Sequence, residues 1–535
     1  MNAALDLTLV IDIGKTNAKL LLLDGSGAVV ERHSRANASV PSPLGYPALD
    51  VHGLQDWMQA TLRASPNAMR CGHAIASTHG AALVALGDDG LAWEPVDYEF
   101  EDVAREGLVA SAFAAASDCF QSTLSPDLPA GLNAARQLFW LQDTHPEAWR
   151  RTRCLLPYAQ YWAWLLSGVA ASEVSSLGCH THLWNPLDAT FSNMAVARGW
   201  ASLFAPLRSA WEVLGTVPPD VATTWGLPTG CQVHAGVHDS NACLARYFDG
   251  QSATEQEEAL TIVSSGTWTV LMAPGAPVES LRAEQDMLGN VDVCGRVTPT
   301  ARFMGGREFA AILGNANPQQ ATLETLSALV ESKTFALPSF AHQGGPFAGR
   351  KGHIERDGQA LHNAGKDEGE SDAEAVLTAP ERATLAALYC AQVTTWLTEY
   401  LWSTNSATQS AEGSALCAGK GGGRAAGGGH GAERTALRAP PTTPHTTREQ
   451  TNRVVIEGPL ASNVVYMTAL QTLLKDHTCQ ASTDTLEGTA RGAWLLTRWG
   501  HNAPTQALNA APQTAITGLQ TYHQEWLQRV QTQAA

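Results

Sequence analysis

Three short segments carry side chains whose types and spacing suit the handling of phosphate groups. The first is Asp12-Ile13-Gly14-Lys15-Thr16-Asn17-Ala18-Lys19. Gly14 lets the backbone approach a phosphate. The Thr16 hydroxyl and the turn amides through Asn17 can donate to phosphate oxygens, Lys19 supplies positive charge, and Asp12 can engage Mg2+ or a bound water. The same residues also suit an ordinary polar hairpin turn. The second segment, Ser264-Ser265-Gly266-Thr267, offers another small-residue turn with hydroxyl and amide donors, or a plain serine-rich β-turn. In the third, Gly236-Val237-His238-Asp239-Ser240-Asn241, a carboxylate meets a helix start. Asp239 there is either a normal helix N-cap, the simpler reading of the segment alone, or a base. A base for phosphoryl transfer needs only to accept a hydroxyl proton and orient the attacking oxygen, because positioning and electrostatics supply most of the catalysis.

A fourth candidate, His79-Gly80, ends the strand-like His73 to Thr78 and could place an imidazole over a polyol. Asp12 and Asp239 are the carboxylates available to a metal. The nearest approach to a P-loop, Gly413 to Gly421, has one spacer residue too many and glycine where Ser or Thr should bind Mg2+. The catalytic-loop and DFG signatures of protein kinases are missing. The 16 tryptophans are read as core or interface residues, not sugar platforms.

The elements that must position these residues alternate between strand and helix patterns, which implies a mixed α/β architecture. Leu7 to Ile13 and Lys19 to Leu23 are aliphatic runs separated by the first turn; helical patterns follow near Leu54 to Arg63 and Leu132 to Gln142, with a strand at Ala81 to Leu86. Gln232 to Val237 reads as a buried strand and Ser240 to Tyr247 as the helix after it, so Asp239 falls at a strand-to-helix corner, where ligands of α/β proteins commonly bind. A second meander, LTIVSSGTWTVLMA from Leu260, echoes LTLVIDIGKTNAKLLLLD. Further on, a helix is expected at about Glu381 to Trp402, a strand at Arg453 to Ile456, a helix opening near Ser462 and another at about Gly488 to Trp499.

These expectations divide the chain into an N-terminal lobe 1–248, a C-terminal lobe 249–505 and an extension 506–535. Two polar segments interrupt the second lobe. Residues 353–373 are rich in glycine and charge, and 403–450 have no periodic apolar face, which predicts a disordered insertion. At 535 residues the chain exceeds what one core supports. The net charge of -17 disfavours nucleic acid and anionic membranes as partners but leaves a nucleotide polyphosphate open, since backbone donors and Mg2+ hold it locally. Ten scattered cysteines without metal spacing, no signal-like N-terminus and no apolar run of membrane length predict a reduced, soluble, cytoplasmic protein. A homodimer is compatible with the sequence.

Taken in order, these motifs resemble the FGGY family of carbohydrate kinases over nearly the whole chain outside the insertion. The Asp-x-Gly-x-Thr-x-x-basic pattern is met by Asp12, Gly14, Thr16 and Lys19, with lysine where arginine is common. Ala76 to Gly80 is similar to the xylulokinase substrate strand at His79 and Gly80, but Thr78 departs from its Met-His-Gly ending. Ser265 to Trp268 resembles the Ser-Gly-Thr-Trp turn of rhamnulokinases, and Glu487 to Ala493 matches a later family helix. Gly344 to Phe347 and Gly349-Arg350 resemble the loop before the family's polar excursion. Where the family places a Gly-Gly adenosine turn, this chain reads Glu457-Gly458-Pro459-Leu460-Ala461-Ser462-Asn463.

The resemblance implies a two-lobed actin-like ATPase (ribonuclease H-like) fold with its active site in the interlobe cleft. It assigns Asp239 the base, His79, Gly80 and Asp239 the sugar, and Gly14, Thr16, Asn17, Lys19, Gly266, Thr267, Gly458 and Asn463 the nucleotide. ATP and Mg2+ are the implied cosubstrate and metal. A deoxyketohexose such as L-rhamnulose or L-fuculose is the first substrate expectation, and xylulose or another pentulose the second. An ATP-gated binding module and an impaired sugar sensor stay open as other readings.

Overall fold

The computed structural model describes residues 5–105, 107–248, 259–342, 344–363, 377–403, 452–483, 488–501 and 507–532. The strand Leu7–Ile13 is buried at every position, as expected of a strand covered on both faces. It pairs antiparallel with Asn17–Leu23 across the Gly14 turn and parallel with Cys71–Thr78. The seven-stranded sheet built on it runs in the order Val213–Thr216, Gln232–His234, Cys71–Thr78, Leu7–Ile13, Asn17–Leu23, Val29–Ala36, with the short Val237–His238 strand also on Cys71–Thr78.

A second seven-stranded sheet repeats this plan. Leu260–Ser265 pairs antiparallel with Thr269–Met272 across the Gly266 turn and parallel with Asn452–Glu457. Beyond these lie Val297–Phe303 and Met287–Val291 on one side, and His477–Ser482 and Leu508–Ala510 on the other. The sequence echo between Leu7 and Leu260 therefore marks equivalent central strands, and the two glycine turns leave equivalent strand ends. Separate apolar clusters serve the two sheets: one holds Leu9, Ile11, Leu20 and Trp162, the other Val263, Phe303, Leu385 and Val454. The helix Ala379–Trp402, started by a Thr378/Glu381 capping box with Pro380 in its first turn, runs through the second cluster.

Several elements depart from expectation, each for a local reason. The strand expected over Gln232 to Val237 is broken into Gln232–His234 and Val237–His238. Gly236 lies between them at φ +91, and a Cβ there would stand 2.8 Å from the Ala76 carbonyl. The buried Gln160 amide donates to the Ala235 and Gly236 carbonyls at 3.1 and 3.0 Å, satisfying groups that the kink removes from the ladder. The helix expected from Ser462 begins as a short 3-10 turn, Pro459–Ser462, and becomes α-helical at Val464 once Asn463 caps it. The helix at Gly488 ends at Leu496. Residues 353–363 of the first polar segment form the strands His353–Arg356 and Gln359–Asn363 beside Thr334–Leu337. The second polar segment lies outside the described residues apart from Ser403. Eight described cysteines carry free thiols, whereas Cys119 is disulfide-bonded, a pairing that linear spacing does not reveal.

Late in the sequence, the helix Gly488–Leu496 returns to the first sheet. Ala490, Ala493 and Trp494 pack with Val10, Leu21, Ile75 and Val237. It lies so close to the Asp239–Ala245 helix that a Cβ at Gly492 would stand 1.8 Å from the Ala242 carbonyl. The lobes also meet where the Gly289 amide donates to the Leu124 carbonyl at 2.8 Å.

Candidate active site

Strand register brings the candidate residues of the first lobe together. Asp12 and Ile13 lie opposite Ser77 and Thr78, and Val237 and His238 lie opposite the same two residues from the other side. Gly14, His79 and Asp239 therefore follow the carboxyl ends of adjacent parallel strands, the edge at which open α/β sheets bind ligands. The His79 amide donates to the Ile13 carbonyl at 2.9 Å, continuing the pairing one residue past the strands.

Asp239 is the first residue of its helix, and His238 holds the N-cap position. The capping reading is thus displaced by one residue. The Asp239 carboxylate accepts from the Ser240 amide at 2.6 Å and stands 3.2 Å from His238 Nε2. Its side chain keeps 30% of its exposure, enough to be reached by a small ligand. Burial nevertheless pushes its pKa above the ordinary carboxylate range, against the opposing pull of His79. Burial holds His238 neutral, its pKa pushed down to about 4.

His79 Nδ1 donates to the Gly80 carbonyl at 2.9 Å, which leaves Nε2 buried and without a hydrogen-bond partner. Burial lowers its pKa, more than the Gly80 carbonyl and Asp239 raise it. A neutral imidazole with a spare acceptor suits a ligand hydroxyl. The ring is flanked by Tyr98 and Tyr158 at centroid distances of 5.2 and 5.3 Å. Gly80 contributes by its lack of a side chain: a Cβ would lie 2.8 Å from Cys179 Sγ and 3.0 Å from His238 Nε2.

In the first turn, the Gly14 amide donates to the Asn17 carbonyl at 2.9 Å, and Thr16 and Asn17 are exposed. Asp12 Oδ2 stands 3.4 Å from Lys19 Nζ. Lys15, which carries no role in the sequence motif, is ion-paired with Asp97, stands 3.4 Å from Glu99 and lies over the Tyr98 ring, on the His79 side of the turn. Asp97 is buried, which raises its pKa, but hydrogen bonds from Lys15 and Ser39 bring it below the usual carboxylate value. These partners come from a loop 82 residues away, beyond the reach of any local motif.

On the second sheet, a cavity of about 680 Å³ opens beside the other glycine turn. Gly266 and Thr267 form one wall, Gly305 and Gly306 the next, and Asn463 the third. Gly306 allows the close approach, since a Cβ there would be 2.4 Å from the Gly266 carbonyl. The Gly305-Gly306 pair was missed, although two glycines opening a helix just after a strand, here Gly305–Leu313 after Val297–Phe303, are a usable signal. Gly458 is not itself in the cavity wall. It makes the turn at φ +78, where any Cβ would meet the Ser265 carbonyl at 2.0 Å. The Ser265 hydroxyl ties this turn down, donating to the Glu457 carbonyl at 2.5 Å and accepting from the Leu460 amide at 3.1 Å. Asn463 Oδ1 is committed to capping, accepting from the Tyr466 amide at 3.0 Å, so its side-chain NH2 is the group left for a ligand.

Both halves of the chain match one family. The model described as the FGGY family of carbohydrate kinases, N-terminal domain, covers residues 128–245, and that of the carbohydrate kinase FGGY C-terminal domain covers 257–409 and 443–506. A solved carbohydrate kinase from Novosphingobium aromaticivorans is 30% identical, with a TM-score of 0.78 over 99% of this chain and 100% of that one. The chain belongs to the FGGY family of carbohydrate kinases. L-fuculokinase from Salmonella typhi is 26% identical over 289 residues, 51% of this chain. The chain spans 58% of the length of that relative. Xylulose kinase from Rhodospirillum rubrum, at 15% identity, has a TM-score of 0.67 over 98% of each chain. That likeness is one of fold, and the two-lobed actin-like ATPase fold that the resemblance implies is the one present. No described helix is long and apolar enough to cross a membrane.

No group of three or more His, Cys, Asp or Glu among the described residues could hold a metal ion. The donors present suit Mg2+ delivered with a nucleotide. Such an ion needs one or two carboxylates, which Asp12 and Asp239 could supply, and takes its other ligands from phosphate and water.

Proposed function

We propose that this FGGY protein transfers the γ-phosphoryl group of ATP to a hydroxyl of a small sugar. The observation that carries this reading is the juxtaposition of Asp239 with His79 at adjacent strand ends. It pairs an accessible carboxylate of raised pKa with a neutral imidazole whose acceptor nitrogen has no hydrogen-bond partner.

In this reading, His79 Nε2 accepts from a sugar hydroxyl and orients the ring, while a second, primary hydroxyl approaches Asp239. The hydroxyl oxygen forms a bond to the γ-phosphorus as the bond to the β–γ bridging oxygen breaks. Asp239 takes the hydroxyl proton, and ADP leaves. Gly266, Thr267 and Asn463 hold the nucleotide on one side, and Gly14, Thr16, Asn17 and Lys19 meet its phosphates from the other. Gly458 shapes the turn beneath it. Mg2+, held by Asp12 and Asp239, would neutralise charge on the phosphates. A raised pKa makes Asp239 a better proton acceptor than an ordinary surface carboxylate.

Deoxyketohexoses such as L-rhamnulose or L-fuculose lead the substrate expectation, supported by the L-fuculokinase relatives and by Ser265 to Trp268. Pentuloses come second, supported by His79-Gly80. The test is an ADP-release screen across ketoses and polyols, with the product identified by mass spectrometry. Sugar-dependent ADP release with a sugar phosphate of matching mass is expected. ADP release that no sugar stimulates would overturn the reading.

A further inference from the structure

Glu457 stands where the resemblance places the first glycine of the adenosine turn, and the structure shows where its side chain goes. It turns away from the nucleotide cavity into the lobe junction. There its carboxylate meets the Arg246 guanidinium in an ion pair and accepts from the Tyr247 hydroxyl. The pair is buried, with side-chain exposures of 1% for Arg246 and 8% for Glu457. Arg246 fits because residue 488 is glycine, since a Cβ there would stand 2.8 Å from Arg246 Nη2.

The two partners belong to opposite halves of the proposed site. Arg246 is the C-cap of the helix that Asp239 begins, and its Nε also donates to the Cys243 carbonyl at 3.2 Å. Glu457 ends the strand Asn452–Glu457, lies opposite Ser264 and immediately precedes Gly458. One buried ion pair therefore joins the end of the Asp239 helix to the start of the turn that leads into the nucleotide cavity. We infer that Arg246 and Glu457 are positioning residues that fix the catalytic carboxylate relative to the bound nucleotide. This rests on the kinase reading for its chemistry, but not for its mechanical part. Buried ion pairs contribute little net stability relative to apolar residues of similar size, whereas removing one partner strands a buried charge. That asymmetry provides the test.

Glu457→Gln is expected to lower kcat by roughly 10- to 100-fold, the cost of a small misplacement of reacting groups. The KM for ATP is expected to stay within about threefold, because the cavity wall is intact. The paired variant Arg246→Met with Glu457→Leu removes both charges. It is expected to regain the thermal stability lost in Glu457→Gln while keeping the low kcat. Recovery of kcat together with stability would make the pair merely structural and overturn the inference. Hydrogen exchange supplies a readout that does not need turnover. In the wild-type chain, ADP with Mg2+ should increase protection of the amides in Asp239–Ala245, and Glu457→Gln should abolish that increase. No nucleotide-dependent protection there in the wild type would also overturn the coupling. Protection without any sugar turnover would instead count against the kinase reading alone.

Discussion

His238 and Asp239 are successive residues whose side chains meet, with His238 Nε2 3.2 Å from Asp239 Oδ1 and the Asn241 amide donating to His238 Nδ1 at 3.1 Å. The Asn241 bond fixes the tautomer, so the proton sits on Nε2 and points at the carboxylate. Such a donor favours the charged form of Asp239, opposing the effect of burial.

His238→Ala should therefore raise the pKa of Asp239 further and loosen its orientation. A hydrogen bond to a charged group is worth about 1.5–3 kcal/mol, so kcat should fall by roughly 10- to 100-fold. The pH dependence of kcat/KM separates this from general damage. Its acid limb should move to higher pH in the variant, and an unmoved limb would remove His238 from that role.

Burial of Asp239 also has a consequence for stability. Its folded pKa is above the unfolded value, so the native state binds the extra proton between the two values, and stability falls as pH rises through the folded pKa. The penalty is complete above that value and absent below the unfolded one. Asp239→Asn should consequently raise Tm at pH 8, with the gain shrinking as pH falls. A gain that grows towards acid pH would contradict the assignment.

Gly492→Ala sets two effects against each other. Alanine is better than glycine in a helix by roughly 1 kcal/mol, but the new Cβ would lie 1.8 Å from the Ala242 carbonyl and 2.4 Å from its carbon. Backbone cannot yield as a flexible side chain can, and overpacking of this kind costs about 1–3 kcal/mol. Steric cost should win. Thermal unfolding should show a lowered Tm, and kcat should fall as the Asp239 helix is pushed aside.

Much of this site was legible because it obeys local rules. Gly14 and Gly266 punctuate β-rich runs, and Asp239 follows a short aliphatic strand. The nucleotide side was harder to read because its walls come from distant segments: Gly305-Gly306 abuts Gly266 only after the sheet forms. Lys15 was invisible as a site residue because its partner Asp97 is distant in sequence. In the sequence Glu457 marks only a departure from the family's Gly-Gly turn. Its partner Arg246 is 211 residues away, and only the fold shows that the carboxylate is turned out of the cavity. The kink at Gly236 escaped periodicity because it interrupts a run of apolar residues without changing its composition.

Asp12 and Asp239 are proposed to share the metal, and they should respond differently to substitution. Asp12→Asn should shift the Mg2+ activation curve to higher concentration by at least about tenfold, the scale on which even groups that only support metal ligands matter, while saturating Mg2+ restores most of kcat. An unchanged titration would make Asp12 a structural partner of Lys19.

Whether Asp239 takes the proton from the attacking hydroxyl is read from single-turnover phosphoryl transfer by Asp239→Asn with the sugar identified in the screen. The amide preserves shape but cannot accept the proton. Sugar-phosphate formation is expected to slow by about 10²- to 10⁴-fold, the usual scale of general-base catalysis, with binding of a non-hydrolysable ATP analogue retained. Transfer at near wild-type rate by a folded Asp239→Asn protein would contradict Asp239 as the base.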